Sequence, residues 1–125
     1  MYWQTNDIWP GASWSGIDWT NRYKMVQYFS KKFYTKILVS GYYNGTHYTF
    51  WGINDYINQY NCISNNHCIL QLNSYSYTSG LLKTWTVNID IDYQSATQVY
   101  ALSKNDFQTT SSCDLDNDCL LIWNL

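Results

Sequence analysis

A chain of 125 residues with a formal net charge of -2 is of single-domain size and cannot house a large enzyme. Aromatic residues make up 19% of it and charged residues only 13%, which excludes a disordered chain. Seven Lys and Arg scattered against nine acids leave no electrostatic footprint for nucleic acid or an anionic membrane, so neither is an expected partner. All nine acids are Asp, at 7, 18, 55, 90, 92, 106, 114, 116 and 118, so any chemistry that needs Glu must come from other residues.

In chain order, Met1–Thr5 is a short aromatic run suited to a buried strand. Residues 6–20, punctuated by Pro10-Gly11 and Ser15-Gly16, read as a long loop of the kind that carries function. From Asn21 to Tyr34, Met25, Phe29 and Phe33 recur every four residues with Val26 widening the stripe. Lys24, Lys31 and Lys32 fall outside that stripe, and the pattern predicts an amphipathic helix. Beyond it the period changes to two. Strands are expected at Ile37–Tyr43, Thr46–Ile53, Cys68–Tyr75, Leu81–Ile91, Ala96–Leu102 and Cys119–Trp123, separated by polar turns at the spacing of a sandwich.

The fold class expected is therefore mainly β. It is an immunoglobulin-like β-sandwich over 37–125, preceded by a strand-loop-helix unit over 1–36 that cannot bury its own stripe and reads as the end of a larger α/β domain. The two parts differ in texture: residues 1–36 hold four of the seven Trp, the only Pro and five of the seven basic residues.

No secretory signal is legible in Met1 to Asp7, which lacks a positive n-region and an apolar stretch of about 7–15 residues. The apolar run Ile37-Leu38-Val39 falls far short of the roughly 20 residues of a membrane span, so no membrane association is expected. The cysteines form two equally spaced pairs, Cys62/Cys68 and Cys113/Cys119, with more intervening residues than the roughly two to four of zinc hairpins. They are disulfide candidates with three connectivities open. Asn44-Gly45-Thr46 is a glycosylation sequon on a turn, and with paired cysteines it favours an oxidising compartment.

Tyr2-Trp3-Gln4-Thr5-Asn6-Asp7-Ile8-Trp9-Pro10-Gly11-Ala12-Ser13-Trp14-Ser15-Gly16-Ile17-Asp18, followed by Arg22-Tyr23-Lys24 and Tyr28-Phe29, resembles the end of the catalytic barrel of β-mannosidases in glycoside hydrolase family 2. The resemblance implies the eighth barrel strand, its active-site loop and the eighth helix, with an immunoglobulin-like sandwich next. The strand end Trp51-Gly52-Ile53-Asn54-Asp55 resembles that following domain. It further implies that Met1 is internal to a strand and that the chain is a C-terminal fragment. The complete enzyme would be lysosomal or secreted, would remove terminal non-reducing β-D-mannose from oligosaccharides, and would hold the fragment by contacts with the rest of the parent chain.

Barrel enzymes place chemistry at the C-terminal strand ends, here Trp3 through Asn6 and Asp7 into the Trp9 loop. Trp3 matches the family's sugar-stacking Trp, and an apolar ring face beside Asn or Asp suits a sugar. Trp3, Asn6, Asp7 and Trp9 are the candidate substrate-binding residues, with Asp7 resembling an orienting carboxylate more than a catalytic one. Retaining glycosidases need two carboxyl groups roughly 5–5.5 Å apart. In the family both are Glu on earlier strands, so no catalytic residue is expected in this chain and none acts alone.

Asp90 and Asp92, roughly 6.6 Å apart along one strand face, read as a solvated face instead. Asp114-Leu115-Asp116-Asn117-Asp118 fails as a calcium loop because Cys119 stands where Gly is needed. His47 and His67 lack a second His at ligand spacing, so no metal and no cofactor is expected. The alternative class is a noncatalytic carbohydrate-binding or secreted β-sandwich module, with Trp51 and Trp85 as platforms if their faces are exposed rather than packed.

Overall fold

The computed structural model describes residues 4–11, 13–57, 62, 68–114 and 118–125. The chain divides into two compact units, Met1–Thr35 and Lys36–Leu125, and its regular structure is mainly β.

The first unit is held by polar closures. The amides of Gly16 and Ile17 donate to the Thr5 carbonyl at 3.1 and 3.0 Å, and the Asp7 amide donates to Ile17 O at 2.9 Å, so the long loop returns onto its own start. Of the expected strand Met1–Thr5, residues 1–3 lie outside the described residues. Gln4 and Thr5 are not in a strand, and Asn6 makes only an isolated bridge to Ile17. A strand is defined by the neighbour that completes its ladder, and no such neighbour is found among the described residues of this unit.

The helix expected from Asn21 starts later: α1 spans Met25–Phe33. The start is delayed because Asn21 takes a left-handed φ of 64°. Asp18 Oδ1 accepts from the Thr20 amide, the Thr20 hydroxyl and the Arg22 amide at 2.8, 2.7 and 2.9 Å, which commits 18–22 to a turn. Lys24, expected on the helix's polar face, is the extended N-cap residue instead. Met25, Phe29 and Phe33 form the expected stripe and are exposed.

The second unit holds six strands, β1 Ile37–Tyr43, β2 His47–Asn54, β3 Cys68–Ser76, β4 Gly80–Ile89, β5 Ser95–Ser103 and β6 Cys119–Asn124, with helix α2 Lys104–Ser111 between the last two. They make two three-stranded antiparallel sheets, β1-β2-β5 and β4-β3-β6, an arrangement compatible with a β-sandwich. Buried Val39 and Phe50 from one sheet join Leu70, Leu72 and Ile89 from the other in one core. Across it the Phe50 and Trp123 rings meet edge to face at 5.6 Å, and Trp123 Nε1 donates to Val39 O at 3.0 Å. Gly52 is required by this packing: an added Cβ would lie 2.5 Å from Ile91 Cδ1 and 2.9 Å from Val99 Cγ1, and Ile91 is fully buried.

Two expectations are corrected and one left open is settled. The fourth strand ends at Ile89, so Asp90 and Asp92 do not share a strand face. They flank buried Ile91, whose amide turns away to donate to Cys62 O at 2.7 Å. Trp51, open to an exposed or a packed reading, is 37% exposed, since neighbouring strand residues face opposite sides and the core position goes to Phe50. Helix α2 was not expected. It begins at Ser103, whose hydroxyl accepts from the Asp106 amide at 2.9 Å, with Asp106 in the first turn. The Ser103-Lys104-Asn105-Asp106 spacing is the sequence signal that announces it.

Candidate functional site

The local structure of residues 5–17 brings three candidates together. Asn6, Asp7 and Trp9, with Gln4, Ile8, Gly11 and Ser13, line a cavity of about 350 Å³ in the first unit. Trp9 is exposed, and its ring lies over Gly11, where an added Cβ would come within 3.1 Å of it. Asn6 is exposed, with its amide nitrogen 3.5 Å from Asp7 O. Trp3 lies outside the described residues.

Asp7 is buried, and both of its carboxylate oxygens are engaged. Lys24 Nζ lies 2.7 Å from Oδ2, and the Ser13 hydroxyl donates to Oδ1. The network continues outward. Ser13 Oγ accepts from Gln4 Nε2 at 3.2 Å and from the Ser15 amide at 3.0 Å, while Lys24 Nζ donates to Ser15 Oγ at 2.9 Å. Buried Ser15 donates in turn to Ile17 O at 2.8 Å. Sequence reasoning missed Ser13, Ser15 and Lys24. The signal available was one cation just ahead of the helix and two hydroxyls bracketing Trp14, next to a carboxylate that needs donors.

The Lys24 ammonium, with Ser13 and Ser15 adding to it, lowers the Asp7 pKa from 3.8 to about 2. Asp18 is also held below the usual carboxylate range, by the Thr20 hydroxyl first and the Arg22 amide next. Because the Asp7 pKa is depressed in the folded state, its stabilising contribution is fully present above the ordinary value of 3.8 and is lost as pH falls through about 2. A carboxyl-carbon NMR titration of the full chain should show the Asp7 midpoint near 2, and Lys24→Met should move it up toward 3.8. An unmoved midpoint would mean that Lys24 does not hold the carboxylate.

The cysteines are joined as Cys62–Cys68 and Cys113–Cys119. Asn44 stands on the turn between β1 and β2. Leu115, Asp116, Asn117 and His67 lie outside the described residues, whereas His47 is on β2 with its Nδ1 2.9 Å from Thr46 Oγ1. Among the described residues, no three His, Cys, Asp or Glu side chains gather as a metal site. No helix there is long and apolar enough to cross a membrane. Trp85 is no free platform: its ring stacks on buried Phe107 at 5.7 Å.

No family model matches the chain. Curated relatives do, and they are glycosidases. Over 55 residues the chain is 34% identical to the beta-mannosidase of Capra hircus, covering 44% of this chain and 6% of that protein. Over 46 residues it is 44% identical to beta-mannosidase A of Aspergillus flavus, covering 37% of this chain and 5% of that protein. Over 55 residues it is 33% identical to the beta-mannosidase of Mus musculus, covering 44% of this chain and 6% of that protein. The glycosidase that this chain resembles is therefore β-mannosidase, in mammals and in Aspergillus alike, as its sequence implied. The matched stretch spans only about one-twentieth of these relatives.

Proposed function

We propose that this chain is the C-terminal part of a β-mannosidase, with residues 1–36 as the last strand-loop-helix unit of its catalytic barrel and 37–125 as the immunoglobulin-like domain that follows. The observation that carries this reading is the similarity to mammalian and fungal β-mannosidases over 46–55 residues. The complete enzyme removes terminal non-reducing β-D-mannose from oligosaccharides with retention, in the lysosome or after secretion.

In this reading the two Glu carboxyl groups that attack and protonate are supplied by other parts of the parent chain, since these 125 residues contain no Glu. What this chain contributes is positioning. Trp3 stacks on the mannose ring, and the exposed Trp9 indole closes the side of the sugar that faces the loop. The Asn6 amide donates to a hydroxyl and fixes the ring's rotation. Asp7, with both oxygens already engaged, acts through the loop: its ties to Ser13 and Lys24 hold Asn6 and Trp9 in place. The exposed Ile8, Trp14, Met25, Phe29 and Phe33 provide the apolar surface on which the rest of the parent chain packs.

A chimera tests this directly. Residues 2–36 of this chain, placed in the corresponding segment of the Mus musculus relative, should retain hydrolysis of a chromogenic aryl β-D-mannoside. Asn6→Ala in that chimera should lower kcat/KM about tenfold, the loss of one oriented hydrogen bond. The 125-residue chain alone should show no turnover. A dead but folded chimera would overturn the assignment of 1–36, and turnover by the isolated chain would overturn the assignment of the chemistry to Glu residues elsewhere.

A further inference from the structure

Asn44-Gly45-Thr46 is the only Asn-x-Ser/Thr sequence in the 125 residues, and the fold places it at the tip of the β1–β2 hairpin. Register fixes the turn: Tyr43 pairs with Tyr48, and the Asn44 amide donates to His47 O at 3.1 Å, which leaves Gly45 and Thr46 as the two central residues. Gly45 has a φ of 100°, a backbone state that other residues rarely adopt, and a Cβ built there meets nothing within 4 Å.

The Asn44 side chain is held in one orientation. Its Oδ1 accepts from the Thr46 amide and hydroxyl, both at 3.1 Å, and from the His47 amide at 2.9 Å. With the acceptor end tied inward, the Asn44 amide nitrogen has one hydrogen turned toward Thr49 Oγ1, 3.4 Å away, and a second hydrogen left over. All three contacts to Oδ1 lie within three residues of Asn44, so the turn can close in a nascent chain before any sheet exists.

An aromatic ring braces the turn. The Tyr43 hydroxyl donates to Gly45 O, so the ring reaches across the turn, and Tyr43 remains 43% exposed. Its ring is braced by Tyr48 at 4.9 Å and by Lys104 Nζ at 5.9 Å, while the Lys104 amide donates to Thr46 O at 3.0 Å. The hairpin tip is thus closed by its own hydrogen bonds, with Asn44 exposed on it.

We propose that Asn44 carries an N-linked oligosaccharide. The donor is a lipid-diphosphate-linked oligosaccharide. Asn44 Nδ2 displaces the diphosphate at the anomeric carbon, so that a C–N bond forms, the C–O bond breaks, the lipid diphosphate leaves with the electron pair and the amide loses one proton. Nothing is oxidised or reduced, and the remaining N–H keeps its approach to Thr49 Oγ1. The two disulfides of the same unit fit the oxidising lumen where this transfer occurs. The inference needs only that compartment from the proposed function, not the mannosidase reaction.

The test is translation of the full chain behind a cleavable secretory leader in the presence of endoplasmic-reticulum microsomes. One glycan-sized mass increment is expected, removed by Asn44→Gln and by Thr46→Ala. No increment on the native sequence overturns the proposal, whether or not the product folds, because the readout is covalent mass.

Discussion

Phe107→Ala is expected to destabilise the Lys36–Leu125 unit by about 3–5 kcal/mol, measured as a lowered urea midpoint at unchanged slope. The ring has no solvent exposure and touches both sheets, meeting Tyr48 of β2 at 5.5 Å edge to face and stacking on Trp85 of β4 at 5.7 Å. Helix α2 exists in large part to deliver it: Ser103 caps the start, Ser112 ends it with a left-handed φ of 55°, and Phe107 projects between. Alanine leaves a ring-sized void whose walls are already anchored in β-ladders and cannot collapse. A change below about 1 kcal/mol would mean that α2 does not seal this end of the core.

Reducing both disulfides is expected to cost about 2 kcal/mol each on loop-closure grounds, and together more than a small unit of this kind spares comfortably. The two differ in what they hold. Cys62 is fully buried and part of the core, and its carbonyl receives the Ile91 amide, so loss of Cys62–Cys68 also loosens that hydrogen bond. Cys119 begins β6 and is 4% exposed, so loss of Cys113–Cys119 frees the return from α2 into the second sheet. Cys62→Ala/Cys68→Ala should therefore lower the thermal midpoint more than Cys113→Ala/Cys119→Ala. Equal losses would mean that loop entropy alone is at work.

The strands of the second unit were legible because their segments are rich in β-branched and aromatic residues and the turns between them are rich in Asn, Ser and Asp. The limits of β1 through β6 fall within two residues of those expected. What the sequence hid were features set by competition between neighbours. Phe50 and Trp51 are neighbours, both large and apolar, and only the side of the pleat that meets the other sheet decides which one enters the core. Asp90-Ile91-Asp92 continues an alternating pattern past the point where the Ile91 amide leaves the ladder for Cys62. Helix α2 is too short and too polar to show a stripe, and its capping spacing is the signal that remained.

At the candidate site, Asn6, Asp7 and Trp9 were named from resemblance alone, and the structure places them on one cavity. The restraint around Asp7 was not legible. Its partners come from six and seventeen positions along the chain, and Lys24 belongs by pattern to a helix that begins only after it. A helical stripe locates apolar residues well. It says nothing about which cation just before the first turn will bend back to a carboxylate.

The β2–β5 ladder has a kinetic consequence. It joins His47 to Ser103 and Asn54 to Ser95, whereas β1–β2 and β3–β4 are hairpins closed over a few residues. Local hairpins form in roughly microseconds, but a ladder between such distant segments must wait for a large loop to close, which places folding of this unit toward the millisecond-to-second range. During that interval β2 has its β1 edge satisfied and its β5 edge open. The whole β5-facing edge of β2, His47 to Asn54, is then open to pairing with the wrong strand.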